Sequence, residues 1–216
     1  MSTITDAPPD VSPDDDIVEV HRRTIDKLLV AGGAIAAIVF LAAGGLLLWG
    51  ANFSNDYVRD ELTSQRVFFP EQAELEEEGR TDLVPFAGQQ VETGAQAEAY
   101  ASFIDGHLQT IAGGQTYADI DDRAAALAVT EATASGAPAE EIAGLQKTAD
   151  QLKGQRDTLF KGETLRALLL SAFAWSTVGR IAGIAAWVAI AGAVALAALC
   201  LAGIVHLKRA GTTARA

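Results

Sequence analysis

Residues 28–49 read LLVAGGAIAAIVFLAAGGLLLW, residues 181–207 read IAGIAAWVAIAGAVALAALCLAGIVHL, and neither run contains a charged side chain. A bilayer core about 30 Å thick is crossed by roughly 20 helical residues. Both runs reach that length, so we predict two transmembrane helices. The first run is longer than the apolar part of a signal peptide, which has about 7–15 residues. Leu48 and Trp49 also occupy positions where a cleavage site needs small residues, so we expect an uncleaved signal anchor.

The net charge is unevenly distributed along the chain. Half of the 216 residues are hydrophobic and the mean hydropathy is +0.20, yet the net charge is −12. Residues 51–180 hold 21 acidic and ten basic side chains, a net charge of −11. Such a surface repels phosphate backbones, so we expect no nucleic-acid partner. It is compatible with high solubility, with cations or with a basic partner.

Lysine and arginine near the two runs indicate their orientation. Cytoplasmic flanks of transmembrane helices carry an excess of these residues. The flanks that face the chain termini hold Arg22, Arg23, Lys27, Lys208, Arg209 and Arg215. The connecting loop has basic residues near the runs as well, but a loop this long crosses the membrane largely regardless of charge. We therefore expect a protein of the cell (inner) membrane with both termini in the cytoplasm and the loop outside.

The resulting expectation is an all-α membrane protein with a small extracytoplasmic helical bundle between two transmembrane helices. The expected segments are an acidic, disordered cytoplasmic tail over 1–27, a span over 28–49, an extracytoplasmic helical domain over 50–180, a span over 181–207 and a cytoplasmic tail over 208–216. The single cysteine, Cys200, falls in the second span. The outer domain must then be held together by packing, without disulfides.

Helix signals begin directly after the first run. Apolar residues keep a helical spacing there, so the first helix should continue to about Gln65. It should end before Pro70, because proline disfavours the helical conformation in the preceding residue. Residues 71–90 combine acidic residues with glycine and proline, which indicates irregular backbone with one short helix.

Two capping patterns follow in the chain. Thr93 and Gln96 form a capping box, and the helix behind them should end at 113–114, a glycine pair. Thr116 and Asp119 are predicted to cap the next helix in the same way. The residues expected on its inner face are Tyr117, Ile120, Ala124, Leu127 and Ala128.

A third outer helix is predicted after the break at residues 135–138. Its packing face has near-heptad spacing and comprises Ile142, Leu145, Ala149, Leu152 and Leu159. Gly162 is expected to interrupt this helix. Residues 164–179 are then apolar and should form one helix with the second span. Its large side chains are expected either to support the outer helices or to lie at the lipid interface; they are Leu168, Leu169, Leu170, Phe173 and Trp175.

A search for catalytic or metal-binding residues predicts no enzyme activity, no metal site and no cofactor. The three histidines, His21, His107 and His206, fall in three different compartments of the predicted topology and cannot converge. His107 is expected to be a half-buried helix residue. The acidic clusters at residues 71–78 and 119–122 lack the spacing of a calcium loop. Motifs of serine hydrolases, zinc proteases and redox dithiols are absent from the sequence.

Small residues are frequent in both spans. They allow close approach of helix backbones in lipid. At the start of the second span and within it they comprise the pair Gly179 and Gly183 and the stripe Ala185, Ala189, Ala193 and Ala197. In the first span they are Gly32, Gly33, Ala36, Ala37, Gly44 and Gly45. We expect the two spans to pack against each other, and contacts with another membrane protein or a second copy of the chain remain open.

Two stretches of the outer domain carry a family resemblance. Residues 86–100 read FAGQQVETGAQAEAY and continue towards His107, and residues 159–170 read LFKGETLRALLL. The chain resembles, over about residues 53–207, a family of uncharacterised two-span membrane proteins of actinobacteria. Some members are labelled aromatic ring-opening dioxygenases. A non-haem ferrous site needs a cluster such as two histidines and a carboxylate, so the resemblance implies topology and no catalytic residue.

Three functions are compatible with the sequence. The leading hypothesis is a non-enzymatic binding or accessory subunit of a membrane or envelope complex. Its candidate contact positions are Gly88, Gln89, Gln90, Thr93, Gly162, Glu163 and Arg166. The alternative is a ligand sensor with a cleft lined by Tyr100, His107 and Tyr117. A hydrolase or oxygenase is the third hypothesis.

Overall fold

The structure is a computed structural model that describes residues 22–213, with the side chains of residues 24–209. Helices form α1 (Arg22–Gln65), α2 (Gln72–Glu77), α3 (Gly94–Ala112), α4 (Asp122–Ala134) and α5 (Ala139–Thr213), with a short 3-10 helix at Thr81–Phe86. The described range contains no strand, and one isolated bridge pairs Phe68 with Gln90. The all-helical class is therefore confirmed. Of the tail predicted to be disordered, residues 1–21 lie outside the described residues, whereas residues 22–27 are helical and form the first part of α1.

Helices α1 and α5 contain the two uncharged runs. Their most apolar windows have mean hydropathies of 2.3 and 2.6, and only 11% and 6% of those windows are buried inside the protein. A core helix of the same length would be mostly buried by its neighbours. The protein thus has two helices long and apolar enough to cross a membrane, and most of their apolar side chains have no protein cover.

The described chain divides into two compact units, and α1 and α5 contribute to both. The terminal unit comprises Met1–Ala43 and Val188–Ala216, as far as these lie in the described range, and the central unit comprises Gly44–Trp187. The terminal unit consists of the N-terminal part of α1 and the C-terminal part of α5. The central unit holds α2, α3, α4 and the remaining parts of α1 and α5.

The core of the central unit is built from residues that are far apart in the sequence. Its buried members are Val58, Leu62, Phe69, Leu75, Leu83, Val91 and Ala97. Leu75 is fully buried, and burial of such a side chain stabilises a fold by about 1.5–3 kcal/mol. The Phe69 ring stacks on Phe86 at 5.3 Å and meets the edge of Tyr100 at 5.2 Å. A smaller cluster comprises Leu108, Ala112, Ile120 and Leu159.

The two ends of α3 match the sequence prediction. The Thr93 side chain accepts a hydrogen bond from the Gln96 backbone N–H at 3.2 Å, and the Gln96 side chain accepts from the Thr93 N–H at 3.0 Å. This reciprocal pair is a capping box. Gly113 ends the helix with φ 59°, a left-handed conformation in which a side chain would be strained.

The start of α4 differs from the prediction. Asp119 accepts hydrogen bonds from the N–H and hydroxyl of Thr116 at 2.8 and 2.7 Å, which closes a separate turn. The helix begins at Asp122, and the Asp121 side chain caps it by accepting from the Ala124 N–H at 2.9 Å. The later start changes which residues face inward. Ile120 is buried and Ala128 half-buried, whereas Tyr117, Ala124 and Leu127 are exposed.

The predicted interruption at Gly162 is wrong, because α5 continues through it without a break. Leu108 of α3 lies over this glycine, and a methyl group added there would be 2.4 Å from Leu108 Cδ2. An interior glycine costs a helix about 1 kcal/mol relative to alanine. The close packing of Leu108 offsets that cost. The near-heptad face before it is buried at Ala149 and Leu159 and half-buried at Ile142, Leu145 and Leu152.

Candidate functional site

In the central unit, α1 and α5 approach each other through a small-residue interface formed by Ala51, Ser54, Gly179 and Gly183. A methyl group added at Gly179 would lie 3.2 Å from Ser54 Cβ and 3.3 Å from the Ala51 carbonyl oxygen. At Gly183 it would be 3.6 Å from Ala51 Cβ. The Ser54 hydroxyl donates a hydrogen bond to the Trp175 carbonyl at 2.8 Å. The predicted glycine pair therefore faces α1.

The terminal unit has a similar contact between the same two helices. The Cys200 thiol lies 3.5 Å from the Val30 carbonyl oxygen. A methyl group at Gly33 would be 2.7 Å from Cys200 Sγ, and one at Gly203 would be 2.9 Å from Val30 Cγ2. Cys200 thus fills a gap between the helices.

The alanine stripe predicted for the second span is only partly turned inward. Ala193 is buried and Ala189 half-buried, but Ala185 and Ala197 are exposed. The buried small positions instead recur every seven residues, at Gly179, Ala186, Ala193 and, half-buried, Cys200. A period of 3.5 residues keeps one helix face towards its neighbour, whereas steps of four drift away from it. In the first span Ala37 and Gly44 are buried, Gly33 and Ala36 half-buried, and Gly32 and Gly45 exposed.

An apolar face of α5 in the central unit is uncovered. We call it the α5 stripe, and its members, Leu165, Leu168, Trp175 and Val178, are each more than half exposed. Leu169 and Phe173 are half-buried, and Leu169 packs against the main core. The sequence left two roles open for these side chains, support of the outer helices or a position at the lipid interface. Leu169 fits the first role, whereas the exposed Leu168 and Trp175 do not support the outer helices.

Helix α1 carries a second exposed apolar feature, an aromatic ladder. Trp49 stacks on Phe53 with ring centroids 5.7 Å apart, and Phe53 stacks on Tyr57 at 6.3 Å. All three side chains are exposed. Tryptophan and tyrosine are enriched where transmembrane helices leave the hydrocarbon core. The ladder therefore has the composition of an interfacial belt.

A cavity of about 350 Å³ lies between α3 and the chain that follows α2. Its lining residues are Glu78, Arg80, Phe103, Gly106, His107, Thr110 and Ile111. His107 Nε2 is 3.3 Å from Glu78 Oε1, and the imidazole packs on the Phe103 ring at 4.6 Å. The His107 side chain is 48% exposed. The cavity was not predicted from the sequence, because Glu78 and His107 belong to separate segments that share no motif.

Arg80 fixes one wall of this cavity. Its guanidinium donates to both Asp82 carboxylate oxygens, at 3.0 and 2.8 Å, and to the Ser102 carbonyl and hydroxyl, both at 2.9 Å. The hydrogen bond to Asp82 raises the pKa of Arg80, and the same bond lowers the pKa of the Asp82 carboxyl. Four of the five guanidinium N–H groups of Arg80 therefore donate to protein acceptors.

Two of the three residues proposed for a ligand cleft, Tyr100 and His107, pack against the same ring, that of Phe103, at 5.6 and 4.6 Å between ring centres. Tyr100 packs between Phe69 and Phe103, and burial raises the pKa of its hydroxyl. Tyr117 instead lies under Arg156, with the guanidinium carbon 4.6 Å from the ring centre. Only His107 lines the cavity. Tyr117 packs with Arg156 and Phe160, so its contacts differ from those of Tyr100 and His107.

The Arg156 cluster joins α5 to the start of α4. Arg156 contacts the Asp122 carboxylate and donates to the Tyr117 hydroxyl at 3.1 Å, and both interactions raise its pKa. Phe160 completes the cluster beside the Tyr117 ring. Every polar group here has a protein partner, so the cluster has a structural role.

The candidate contact positions in the loop before α3 have internal partners. Gln89 donates to the Pro85 carbonyl at 2.8 Å, and Gln90 donates to the Thr63 carbonyl at 2.9 Å. Gly88 adopts φ 67°, and Thr93 caps α3.

The candidate positions on α5 have internal partners as well. Arg166 pairs with Asp105 at 3.4 Å and with Glu163 at 3.2 Å, while Gly162 receives Leu108. Both candidate sets therefore hold the domain together.

Among residues 22–213, no group of three or more histidine, cysteine or acidic side chains is arranged to hold a metal ion. Compared with known proteins, the chain matches no family model, no curated protein and no solved structure. The resemblance to two-span actinobacterial proteins therefore stays a prediction. The structure defines an all-helical protein with two helices long and apolar enough to cross a membrane.

Proposed function

We propose that the chain is a non-enzymatic two-pass protein of the cell membrane that acts as a binding or accessory subunit of a membrane or envelope complex. Residues 28–49 and 181–207 cross the bilayer, and residues 50–180 form an extracytoplasmic domain. The basic flanks at both chain ends support cytoplasmic termini. The low burial of the apolar windows supports insertion in lipid.

The observation that carries this proposal is the α5 stripe. Residues 181–207 alone supply the roughly 20 residues that a bilayer core needs. The stripe precedes them in the same helix, so the hydrocarbon core does not extend to Leu165 and Leu168. Exposed apolar patches of this kind mark interaction sites. A protein partner covers the stripe.

The charge of the outer domain decides between a second copy of the chain and a different protein as the partner that covers the α5 stripe. The domain that carries the stripe has a net charge of −11, so two copies brought side by side repel each other. A partner with a neutral or basic outer surface is attracted instead. Because the stripe ends directly before the second span in the same helix, the partner is a different membrane protein whose helix leaves the bilayer beside α5.

Site-specific photocrosslinking in intact cells tests this proposal. A photoreactive residue replaces Leu168 in the full chain, and the matched control places it at Gln151, which is exposed on the same helix outside the stripe. We expect crosslinking from position 168 alone to one membrane protein with a neutral or basic outer segment. That protein should co-purify stoichiometrically in mild detergent. Substitution of Trp175→Asn should reduce co-purification without changing the circular dichroism spectrum.

Three results contradict the proposal. Crosslinks from position 168 to lipid alone show that the bilayer covers the stripe. Crosslinks to a second copy show a homo-oligomer in place of a mixed complex. Equal crosslinking from positions 168 and 151 shows that the stripe has no preferred partner.

A ligand-binding module is the second candidate, and the cavity beside His107 favours it. A volume of about 350 Å³ is within the range of small-molecule sites. A thermal-shift screen with small polar ligands on the purified protein tests it. A shift that is lost in Thr110→Val supports this candidate, and the absence of any shift removes it.

A further inference from the structure

A groove of about 420 Å³ lies between α1 and α5 in the terminal unit. Residues three and four apart share one face of a helix. The groove is lined at this spacing on both helices, by Asp26, Leu29 and Gly33 of α1 and by Leu199, Gly203 and His206 of α5. It therefore runs along the two helices.

The groove is apolar along its length and polar at one end. Leu29 and Leu199 are each 69% exposed, so the groove is open on the side where these side chains lie. The helices are antiparallel where Val30 meets Gly203. Asp26 lies about one turn beyond Val30 towards the N-terminus, and His206 about one turn beyond Gly203 towards the C-terminus. Both polar side chains therefore lie at the same end.

This polar end coincides with the ends of the two uncharged runs. Asp26 lies two residues before the run 28–49, and His206 is the last but one residue of the run 181–207. The Asp26 carboxylate is half-buried, and no side chain among residues 24–209 forms an ion pair or a hydrogen bond with it. A carboxylate beside hydrocarbon is costly unless a cation or a hydrogen-bond donor pairs with it. An occupant of the groove can supply that partner.

The groove selects the chemistry of its occupant. Its apolar walls suit an acyl chain, and Asp26 can accept charge-assisted hydrogen bonds from a primary ammonium group. A neutral imidazole has one N–H in either tautomer, so His206 can donate to a phosphate or ester oxygen. A choline headgroup has no N–H for Asp26, and a glycerol headgroup has no positive charge. An ethanolamine phospholipid supplies every one of these groups.

We propose that the groove binds a phospholipid with a primary-ammonium headgroup. The ammonium group lies at Asp26, and an acyl chain lies along Leu29 and Leu199. The inference rests on the proposed placement of residues 28–49 and 181–207 in the bilayer, because lipid reaches the groove there. The lipid belongs to the leaflet on the side of the chain termini.

Native mass spectrometry of the full chain in detergent tests the headgroup preference. The probes are phosphatidylethanolamine, phosphatidylcholine and phosphatidylglycerol with identical acyl chains, titrated near neutral pH. We expect phosphatidylethanolamine to bind about threefold to tenfold more tightly than the other two, the effect of one additional hydrogen bond. Asp26→Asn should abolish this preference. Asp56→Asn is the matched control, because it removes an exposed carboxylate from the same helix outside the groove.

A groove-filling variant tests the apolar part of the site. Ala202 lines the groove and is exposed, so Ala202→Phe adds volume there without a clash in the helix contact. We expect it to weaken the binding of all three lipids. Ala197→Phe is the matched control, because Ala197 is exposed on the same helix and does not line the groove.

Four outcomes overturn the lipid site: equal binding of the three lipids, tighter binding of phosphatidylglycerol, a preference that persists in Asp26→Asn, or a lipid-free dimer in which a second copy covers the groove. Alkaline extraction of cell membranes separates this failure from failure of the proposed function. A chain that stays in the membrane but shows no headgroup preference refutes the lipid site alone. Release of the chain from the membrane contradicts both.

Discussion

The main core and the small-residue interface of the central unit hold the same helix, α1, in different ways. The core packs Val58 and Leu62 against large apolar side chains. The interface, nearer the first apolar run, packs Ala51 and Ser54 against Gly179. The core stabilises α1 by burial of large apolar side chains, whereas the interface stabilises it by close approach of the helix backbones. The same helix is therefore sensitive to lost volume at the core and to added volume at the interface.

The largest effect should come from the core. Leu75→Ala removes a fully buried side chain and leaves a cavity, and we expect a loss of about 2–5 kcal/mol in the free energy of unfolding. Thermal unfolding in detergent, followed by circular dichroism, measures it. Leu127→Ala is the control, because Leu127 is 62% exposed and should change stability little. Equal effects of the two substitutions would show that α2 is not packed as described.

The small-residue interface should respond to added volume. Gly179→Leu places a side chain against the Ala51 carbonyl and Ser54, and backbone atoms cannot move aside as a flexible side chain can. We expect a destabilisation of about 1–3 kcal/mol, the usual cost of overpacking. Gly192→Leu is the matched control, because nothing lies within 4 Å of a methyl group there. If both variants unfold at the same temperature, α1 and α5 do not meet at Gly179.

Two glycines of α5 should respond to the same substitution with opposite signs. Gly154→Ala adds a methyl group in open space and should stabilise the helix by about 0.5–1 kcal/mol. Gly162→Ala gains the same helix propensity, but its methyl group meets Leu108, and overpacking costs about 1–3 kcal/mol. We expect a net destabilisation of about 1 kcal/mol at Gly162. Denaturation of the two variants side by side measures the difference, and stabilisation by both would contradict the packing of Leu108.

Local sequence patterns predicted the ends of α3, because the capping box and the left-handed glycine act within a few residues. Composition predicted the two long apolar helices because each uncharged run is continuous in the sequence. The sequence could not show that α5 continues through Gly162, because the side chain that packs on this glycine, Leu108, belongs to α3. The start of α4 differs from the prediction because the predicted pair, Thr116 and Asp119, closes a separate turn, and Asp121, also a good cap residue, begins the helix.

The candidate sites were harder to predict than the helices. Glu78 and His107 meet only because α2 and α3 pack on a common core, and their spacing in the chain has no helical or strand period. The sequence did draw attention to Leu168 and Trp175. Their exposure depends on which face of α5 meets α3, and the chain alone does not determine that face.

The smallest effect on the free energy of unfolding should come from the surface ion pair Arg80–Asp82, in contrast to the buried core residues. The bond from Arg80 lowers the pKa of Asp82 in the folded protein. The pair therefore stabilises the fold above the unfolded carboxyl pKa of about 3.9, and this contribution is lost as the pH falls through the lower folded value. Asp82 is mostly exposed, so the contribution should stay below about 1 kcal/mol.

Thermal unfolding of the parent protein and Asp82→Asn at about pH 7 and at about pH 2 measures this contribution. We expect the variant to unfold at a lower temperature at the higher pH and at nearly the same temperature as the parent at the lower pH. Glu77→Gln removes an acidic residue from the end of α2 and should follow the parent at both pH values. A gap between Asp82→Asn and the parent that persists at the lower pH would mean that Asp82 contributes through packing, as the core residues do, and not through its charge.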